Sequence, residues 1–315
     1  MTEKLPQFYY KQNRLKQLKA FCAAAKCGSV SLAAESLFLS QPTVTLQIQA
    51  LEREMDVTLF ERRGPKITLT PEGVVLNQIA QPLVDGIEGL EESFHAHFGK
   101  LETGELNIAA GESTTLYILP KYIKRFSEAY PGIQIKLHNV TGRDGMTMLR
   151  ADEADLAIGS MLEVPDDIIY RQSLSFSHTL ITPLDHPLAN KENITLEDIC
   201  PYGLILPPRH LATWRFLEWV FSQSGLKFSV SLEAGGWEII KKYVALGMGV
   251  SIVTDVCLTG EEALARKSLD KFIPKRSYGV VVRKGKFLNP QSQAFIDMID
   301  ADFFKQMEET SNLTK

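Results

Sequence analysis

The sequence predicts an α/β protein with an all-α head, and three patterns lead there. Short helical patterns followed by a cationic turn fill about the first seventy residues, 1–70. One long amphipathic pattern follows over 71–99. Over 104–307 strand-like and helix-like segments alternate, which is the pattern of an α/β body, and 308–315 form a polar tail.

Bulk properties narrow the class. A chain of 315 residues suits two or three domains. Its 44% hydrophobic and 23% charged residues are ordinary for a globular protein and exclude collagen-like, fibrous and disordered chains. Met1 to Tyr10 contains Glu3, Lys4 and Pro6 and has no apolar signal core, and the apolar runs fall short of a bilayer span. A cytoplasmic location and no membrane partner are therefore expected. Cys22, Cys27, Cys200 and Cys257 show neither zinc spacing nor a disulfide framework, and read as buried free thiols. The net charge of -4 hides an asymmetry: the stretch to Thr70 carries ten bases against six acids, so the remainder is strongly acidic. A basic head on an acidic body suits local attraction to a polyanion.

In the head, Ser29 to Leu37 reads as a capped helix with a small-residue face at Ala33 and Ala34, and Phe38-Leu39-Ser40 breaks it. Ser40 is a good N-cap and Pro42 falls in the first turn of the next helix, where a missing N–H costs nothing. That helix, about Gln41 to Met55, buries Val44, Ile48 and Leu51 and leaves Gln41, Thr43, Thr45, Gln47 and Gln49 more exposed. Amides pair with base edges and hydroxyls with phosphates, so this face suits a major groove. Any amphipathic helix pair would share the pattern, and the next segment separates the readings. Phe60 to Thr70 is a strand, a Gly64-Pro65 turn flanked by Arg62, Arg63 and Lys66, and a second strand, a wing that brings cations to a DNA backbone. The candidate DNA-contacting residues are Ser29, Ser31, Ser40, Gln41, Pro42, Thr43, Thr45, Gln47, Arg62, Arg63 and Lys66.

Ala33-Ala34 through Ser40-Gln41-Pro42, then Gln47 to Glu52, Leu59 to Arg62 and Leu69 to Gly73 resemble the winged helix-turn-helix of the LysR-type regulators, over about Leu15 to Gly73. Two positions depart: Leu46 and Gln49 stand where many members carry cations. The resemblance implies a sequence-specific transcriptional regulator that binds double-stranded DNA and a small-molecule effector, with RNA polymerase as a further partner.

Along 71–99, Val75, Ile79, Leu83, Ile87, Leu90 and Phe94 recur at helical spacing. Such a stripe needs a covering surface, either a second copy of the same helix or the chain's own body. The resemblance favours the copy, hence a homodimer or homotetramer. Pro82 and Gly86 are expected to bend the helix.

Strands are expected at Leu106–Ala110, Ile133–Leu137, Asp155–Ile158, Thr179–Pro183, Gly203–Leu206, Val230–Glu233, Val250–Thr254 and Tyr278–Arg283. Helices are expected at Thr115–Ala129, Arg143–Arg150, Ala212–Ser222, Trp237–Leu246, Thr259–Arg266 and Ser292–Met307. The resemblance implies a body like the periplasmic solute-binding proteins, two α/β lobes with a ligand between them. Residues just past strand ends supply the candidates: Ser113, Thr114 and Thr115; Thr141 and Gly142; Ser160; Pro207 and Arg209; and Trp237. Hydroxyls and free N–H groups at a helix start suit an anion, and Arg209 suits a carboxylate or sulfate. Each also reads as a simple cap or turn. Ser113, Thr114, Thr141 and Arg209 rank first.

Gly236 to Val250, with Tyr117 and Leu119-Pro120, is similar to the cysteine-regulon (CysB-like) branch of the family. That branch responds to O-acylated serine derivatives or sulfur oxyanions, so the implied effector is sulfate or an acylated serine-like compound, with no other cofactor. Glu112 departs from it, standing in what is otherwise a Thr/Gln-rich run. No nucleophile elbow, phosphate loop, dinucleotide Gly motif or metal-binding helix occurs: Gly247-Met248-Gly249 lacks a third glycine, and His95 and His97 lie on different helix faces. A solute-binding protein, or an enzyme with a DNA-binding appendage, remains the alternative.

Overall fold

The computed structural model describes residues 14–63, 66–98 and 101–305, apart from the side chains of Arg62, Arg63 and Glu92. Two compact units divide it: the chain up to Leu101 with Lys284–Pro290, and Glu102–Arg283 with the chain from Gln291.

In the first unit α1 (Arg14–Cys27), α2 (Val30–Ser36) and α3 (Gln41–Met55) close on Phe21, Ala33, Val44, Ile48 and Leu51. Each larger member of that set contributes roughly 1.5–3 kcal/mol by leaving water. Phe38 reverses the chain between α2 and α3 with φ 54°. Ser40 then caps α3, its hydroxyl accepting from the Thr43 N–H at 3.3 Å, and Asp56 closes the helix in the left-handed region with φ 53°. The wing follows as antiparallel strands β1 (Phe60–Arg63) and β2 (Lys66–Leu69), with Phe60 opposite Leu69. The Ile67 N–H donates to the Gly28 carbonyl at 3.1 Å, so the wing is fastened to the α1–α2 turn.

Thr70 makes the next joint. Its hydroxyl donates to the Thr58 carbonyl at 2.7 Å and accepts from the Gly73 N–H at 3.0 Å, so one side chain ties the wing's entry to the start of α4 (Pro71–Glu88). Gly73 is required there, because a Cβ would lie 2.2 Å from the Leu59 carbonyl oxygen.

The long helix differs from expectation. Pro82 sits inside an unbroken α4, and the break falls at Gly89, before α5 (Leu90–His97). The Gly89 N–H closes α4 on the Asp85 carbonyl at 2.8 Å, and helical hydrogen bonding resumes at once with the Ser93 N–H donating to the Gly89 carbonyl at 2.9 Å. The expected apolar stripe is exposed: Val75, Ile79, Leu83, Ile87, Leu90 and Phe94 are each 50–65% exposed.

The second unit begins with β3 (Gly104–Ala110), a π-helical turn at Thr114–Ile118, α6 (Leu119–Ala129), β4 (Ile133–Asn139), α7 (Gly142–Arg150), β5 (Leu156–Gly159) and β6 (Ile168–Phe176). It continues through β7 (His178–Thr182), α8 (Leu196–Ile199), β8 (Gly203–Leu206), α9 (Ala212–Gln223), β9 (Ser229–Glu233), α10 (Trp237–Ala245), β10 (Ser251–Thr254) and β11 (Ala265–Ser268). Then β12 (Arg276–Arg283) and α11 (Pro290–Ile299) follow. The first lobe holds a five-stranded sheet in the order β4-β3-β5-β12-β6, parallel among β4, β3 and β5 and antiparallel at β12. The second lobe holds β10-β7-β11 and the parallel pair β8-β9, joined by a bridge between Leu204 and Val250. The chain leaves the first lobe through β6 into β7 and returns through β12. This is the two-lobed body.

Several elements correct the sequence reading. Thr259–Arg266 is not a helix: the Glu262 carboxylate collects the N–H groups of Thr259 and Gly260 at 3.0 and 3.1 Å, fixing a tight loop. The chain then enters β11, which pairs with β7. Strands β6 and β11 were not expected. The helix expected from Thr115 is preceded by a π-helical turn over Thr114–Ile118, and α6 proper begins at Leu119. α11 stops at Ile299, where Asp300 accepts from the Asp302 N–H at 3.2 Å and pairs with Arg171 at 2.7 Å; residues past 305 lie outside the described ones. The four cysteines are free; burial pushes the Cys22 and Cys257 thiols up to about 12. Among the described residues no helix is long and apolar enough to cross a membrane, and no cluster of His, Cys, Asp or Glu could hold a metal ion.

Candidate functional site

Two surfaces collect the expected residues. In the head, burial of Val44, Ile48 and Leu51 turns Gln41, Pro42, Leu46 and Gln49 outward, with Thr43, Thr45 and Gln47 half-buried beside them. The Ser31 hydroxyl donates to the Gln41 side-chain oxygen at 3.2 Å, linking the first turns of α2 and α3. The Ser29 hydroxyl accepts from the Leu32 N–H at 3.5 Å, and the Ser40 and Thr43 hydroxyls share a hydrogen bond at 2.8 Å. Ser29 and Ser40 thereby cap α2 and α3, whereas the Ser31–Gln41 bond is a tie between the two helices. The Glu52 carboxylate accepts from the Leu59 N–H at 2.8 Å and sets the wing against α3. Lys66 is exposed opposite Arg63 in the wing register; the Arg62 and Arg63 side chains lie outside the described ones, as do Gly64 and Pro65.

In the body, sheet register does the gathering. Ala110 at the end of β3 pairs with Asn139 of β4 and with Ile158 of β5. Ser113–Thr115, Thr141–Gly142 and Ser160 therefore follow from one sheet edge. In the second lobe Leu206 of β8 pairs with Glu233 of β9, and the Ala234 N–H donates to the Leu206 carbonyl at 3.0 Å. Pro207, Arg209 and Trp237 thus follow from a second edge. Three contacts bring the edges face to face. The Tyr117 hydroxyl donates to the Glu238 carboxylate, Lys241 lies 5.4 Å from the centre of the Tyr117 ring, and the Glu112 carboxylate is lodged against Gly236. Gly236 has φ 83°, and a Cβ there would lie 2.5 Å from a Glu112 oxygen.

The expected residues are not equally free. Thr114 is buried, and the Thr115 hydroxyl is buried without a hydrogen-bond partner. Ser113 precedes the π-helical turn and makes no side-chain cap. Such turns concentrate at functional positions. The Thr141 hydroxyl is occupied, accepting from the Asp144 N–H at 3.3 Å and donating to its carboxylate at 2.7 Å. Arg209 is exposed with its guanidinium 5.0 Å over Trp214, and Trp237 packs into the second lobe with Ile181, Ile205 and Ile240.

Sequence reasoning missed the charged cluster beside these facing edges. Lys241 is only 4% exposed. Its ammonium donates to Glu238 at 2.8 Å, Glu262 at 2.9 Å and the Cys257 carbonyl at 2.8 Å, which uses all three N–H bonds. Burial pulls its pKa down, but the two carboxylates outweigh that and raise it. Burial opposes ionisation of Glu262 too, yet Lys241 and the loop N–H groups hold it well below the usual carboxylate range. Burial and the bond to Glu238 push the Tyr117 hydroxyl far up, so it stays a donor. The available signal was a lysine at a core position of the Trp237, Ile240, Lys241, Val244 spacing.

A winged helix-turn-helix joined to a two-lobed α/β ligand-binding body defines a DNA-binding transcriptional regulator. A model of the bacterial regulatory helix-turn-helix protein, lysR family, matches residues 15–74, and one of the LysR substrate binding domain matches 99–303. The chain belongs to the LysR family. It is 31% identical to the HTH-type transcriptional regulator SsuR of Burkholderia cenocepacia, over 84% of this chain and 87% of that protein. It is 29% identical to the regulator CysB of Haemophilus influenzae, over 79% and 80% respectively. Among solved structures it resembles the cofactor-binding domain of the Cbl transcriptional regulator, with TM-score 0.59, 27% identity, and coverage of 63% of this chain and 89% of that one. It shares its fold with full-length CbnR in complex with its target DNA, at TM-score 0.57, 22% identity, and coverage of 91% and 98%.

Proposed function

We propose that the facing sheet edges of the body take a small anionic metabolite, sulfate or an acylated serine-like compound, which controls operator binding by the head. One observation carries the reading: the loop and turn over 112–118 meet the start of α10 through Glu112 at Gly236 and Tyr117 at Glu238, and within that turn the buried Thr115 hydroxyl lacks a partner. A buried hydroxyl without a partner is costly, and a ligand oxygen relieves that cost. The Glu112 side chain reaches from the first-lobe edge to Gly236, so its carboxylate occupies the start of α10 and leaves the first-lobe hydroxyls to the anion. The similarity to CysB and Cbl supports a metabolite of sulfur or cysteine metabolism. Ligand binding shifts the lobes and thereby the pairing of heads.

In the same reading α3 enters a major groove, with Gln41, Thr45 and Gln47 at base edges or phosphates and the wing cations on the backbone. A second copy covers the stripe from Val75 to Phe94, giving a dimer or tetramer that spans two half-sites, recruits RNA polymerase and works in the cytoplasm.

Calorimetric titration of the full chain with sodium sulfate and with O-acetylserine tests the cleft. Binding of one of them without turnover is expected, and Thr115→Val weakens it about tenfold, the size of one hydrogen bond. DNA retention without ligand stays unchanged. Absence of binding by both compounds, or equal affinity in Thr115→Val, overturns the assignment.

A further inference from the structure

The centre of the DNA-facing side of α3 is apolar. At about 100° per residue, Leu46 lies diametrically opposite the midpoint of the buried pair Val44 and Ile48. It is 60% exposed, with Pro42, Gln49 and Arg53 exposed along the same line. Arg53 is held back toward the helix, its Nε donating to the Gln49 carbonyl at 3.3 Å. The side chain that projects farthest from the core of α3 at mid-helix is therefore a leucine without a hydrogen-bonding group.

A major groove offers such a side chain few welcomes. Pressed against carbonyl, amine or phosphate groups, a leucine strips water from them and returns no hydrogen bond. The one apolar group on the base edges of that groove is the C5-methyl of thymine. Burying methyl against methyl desolvates nothing polar and gains the hydrophobic term.

We propose that Leu46 is a specificity-determining residue that reads thymine methyl groups, so that the operator carries A·T pairs beneath the middle of α3. The inference rests on α3 being the groove helix. Thr45 and Gln49 flank the leucine and select neighbouring pairs through hydrogen bonds, while Leu46 selects by shape and by rejection: a G·C pair at its position presents only polar groups.

The test isolates a single methyl group. The full chain selects its preferred duplex from a random-sequence library, and that duplex is resynthesised with deoxyuridine at each thymine in turn. The wild-type chain is expected to lose about fourfold in affinity at one or two positions under α3, the size of one buried methyl. Leu46→Ala is expected to bind more weakly overall and to be indifferent to the same replacements. Because Leu46 is exposed, that variant keeps its melting temperature and its oligomeric state by sedimentation. The proposal is overturned if no replacement affects the wild type, or if Leu46→Ala retains the same loss. It is also overturned if Leu46→Ala shifts to a smaller oligomer, which would assign the leucine to a second copy. Failure to enrich any duplex is a distinct result, removing the groove assignment of α3 itself.

Discussion

The outward side of α3 leaves Gln41, Pro42, Leu46 and Gln49 exposed, whereas the polar groups around α10 already hold one another. Lys241 gives all three donors to Glu238, Glu262 and Cys257, and Tyr117 closes on Glu238 from the other lobe. The difference follows from the solvent each surface meets. A convex helix awaiting a hydrated polymer keeps its polar groups satisfied by water until the partner arrives. An ion as buried as Lys241 needs internal partners first, since a buried ion without them is expensive.

The largest expected effect strikes at the body. Lys241→Ala takes the buried cation from between Glu238 and Glu262, while Arg266 stays on Glu262 and Glu238 stays open to water, at a cost of about 3–4 kcal/mol, toward the lower end for a broken buried pair. Hydrogen exchange resolved along the full chain should rise across β7, α10 and the 259–262 loop while α1–α3 keep their protection. A loss under 1 kcal/mol would mean that the cluster is wet, and the contrast with the head would fail.

Acid sharpens the same contrast. His178 is buried, its Nδ1–H donating to the Pro274 carbonyl at 3.1 Å and its ring stacked on Phe216. Burial, with Arg276 nearby, lowers its pKa from 6.5 to about 4. Between those values the unfolded chain binds more protons than the folded one, so body stability falls as pH drops from 6.5 toward 4 and is fully present above 6.5. The expected loss is on the order of 3 kcal/mol. Melting of the body followed from pH 7 to 4.5 should show that slope, and His178→Phe should flatten it.

The smallest effect belongs to the head. Ser40→Ala removes the cap of α3 and is expected to cost about 1 kcal/mol, confined to exchange of α3. A comparable loss in the body would deny that the two units are separate in stability.

Legibility in the sequence followed the range of the interactions. The α3 start was readable because Ser40, Pro42 and Thr43 act within one turn. The outward stripe from Val75 to Phe94 was readable because helical period alone defines it. The loop at Thr259–Glu262 was not, since a helical-looking run was redirected by a carboxylate that folds back on its own N–H groups and also binds Lys241. Strand β6 carries Arg171, Gln172 and Ser173 in its middle, which hides a strand until β12 is set beside it. The strand-end candidates do follow strand ends, yet only tertiary pairing distinguishes the engaged Thr141 hydroxyl from the unpartnered Thr115.

The Thr70 hydroxyl, held between the Thr58 carbonyl and the Gly73 N–H, leaves no slack where the wing meets the long helix. With Gly73 seated against the Leu59 carbonyl, that junction works as a weld rather than a hinge. A turn of α4 is therefore passed on to the wing strands instead of being absorbed at the joint.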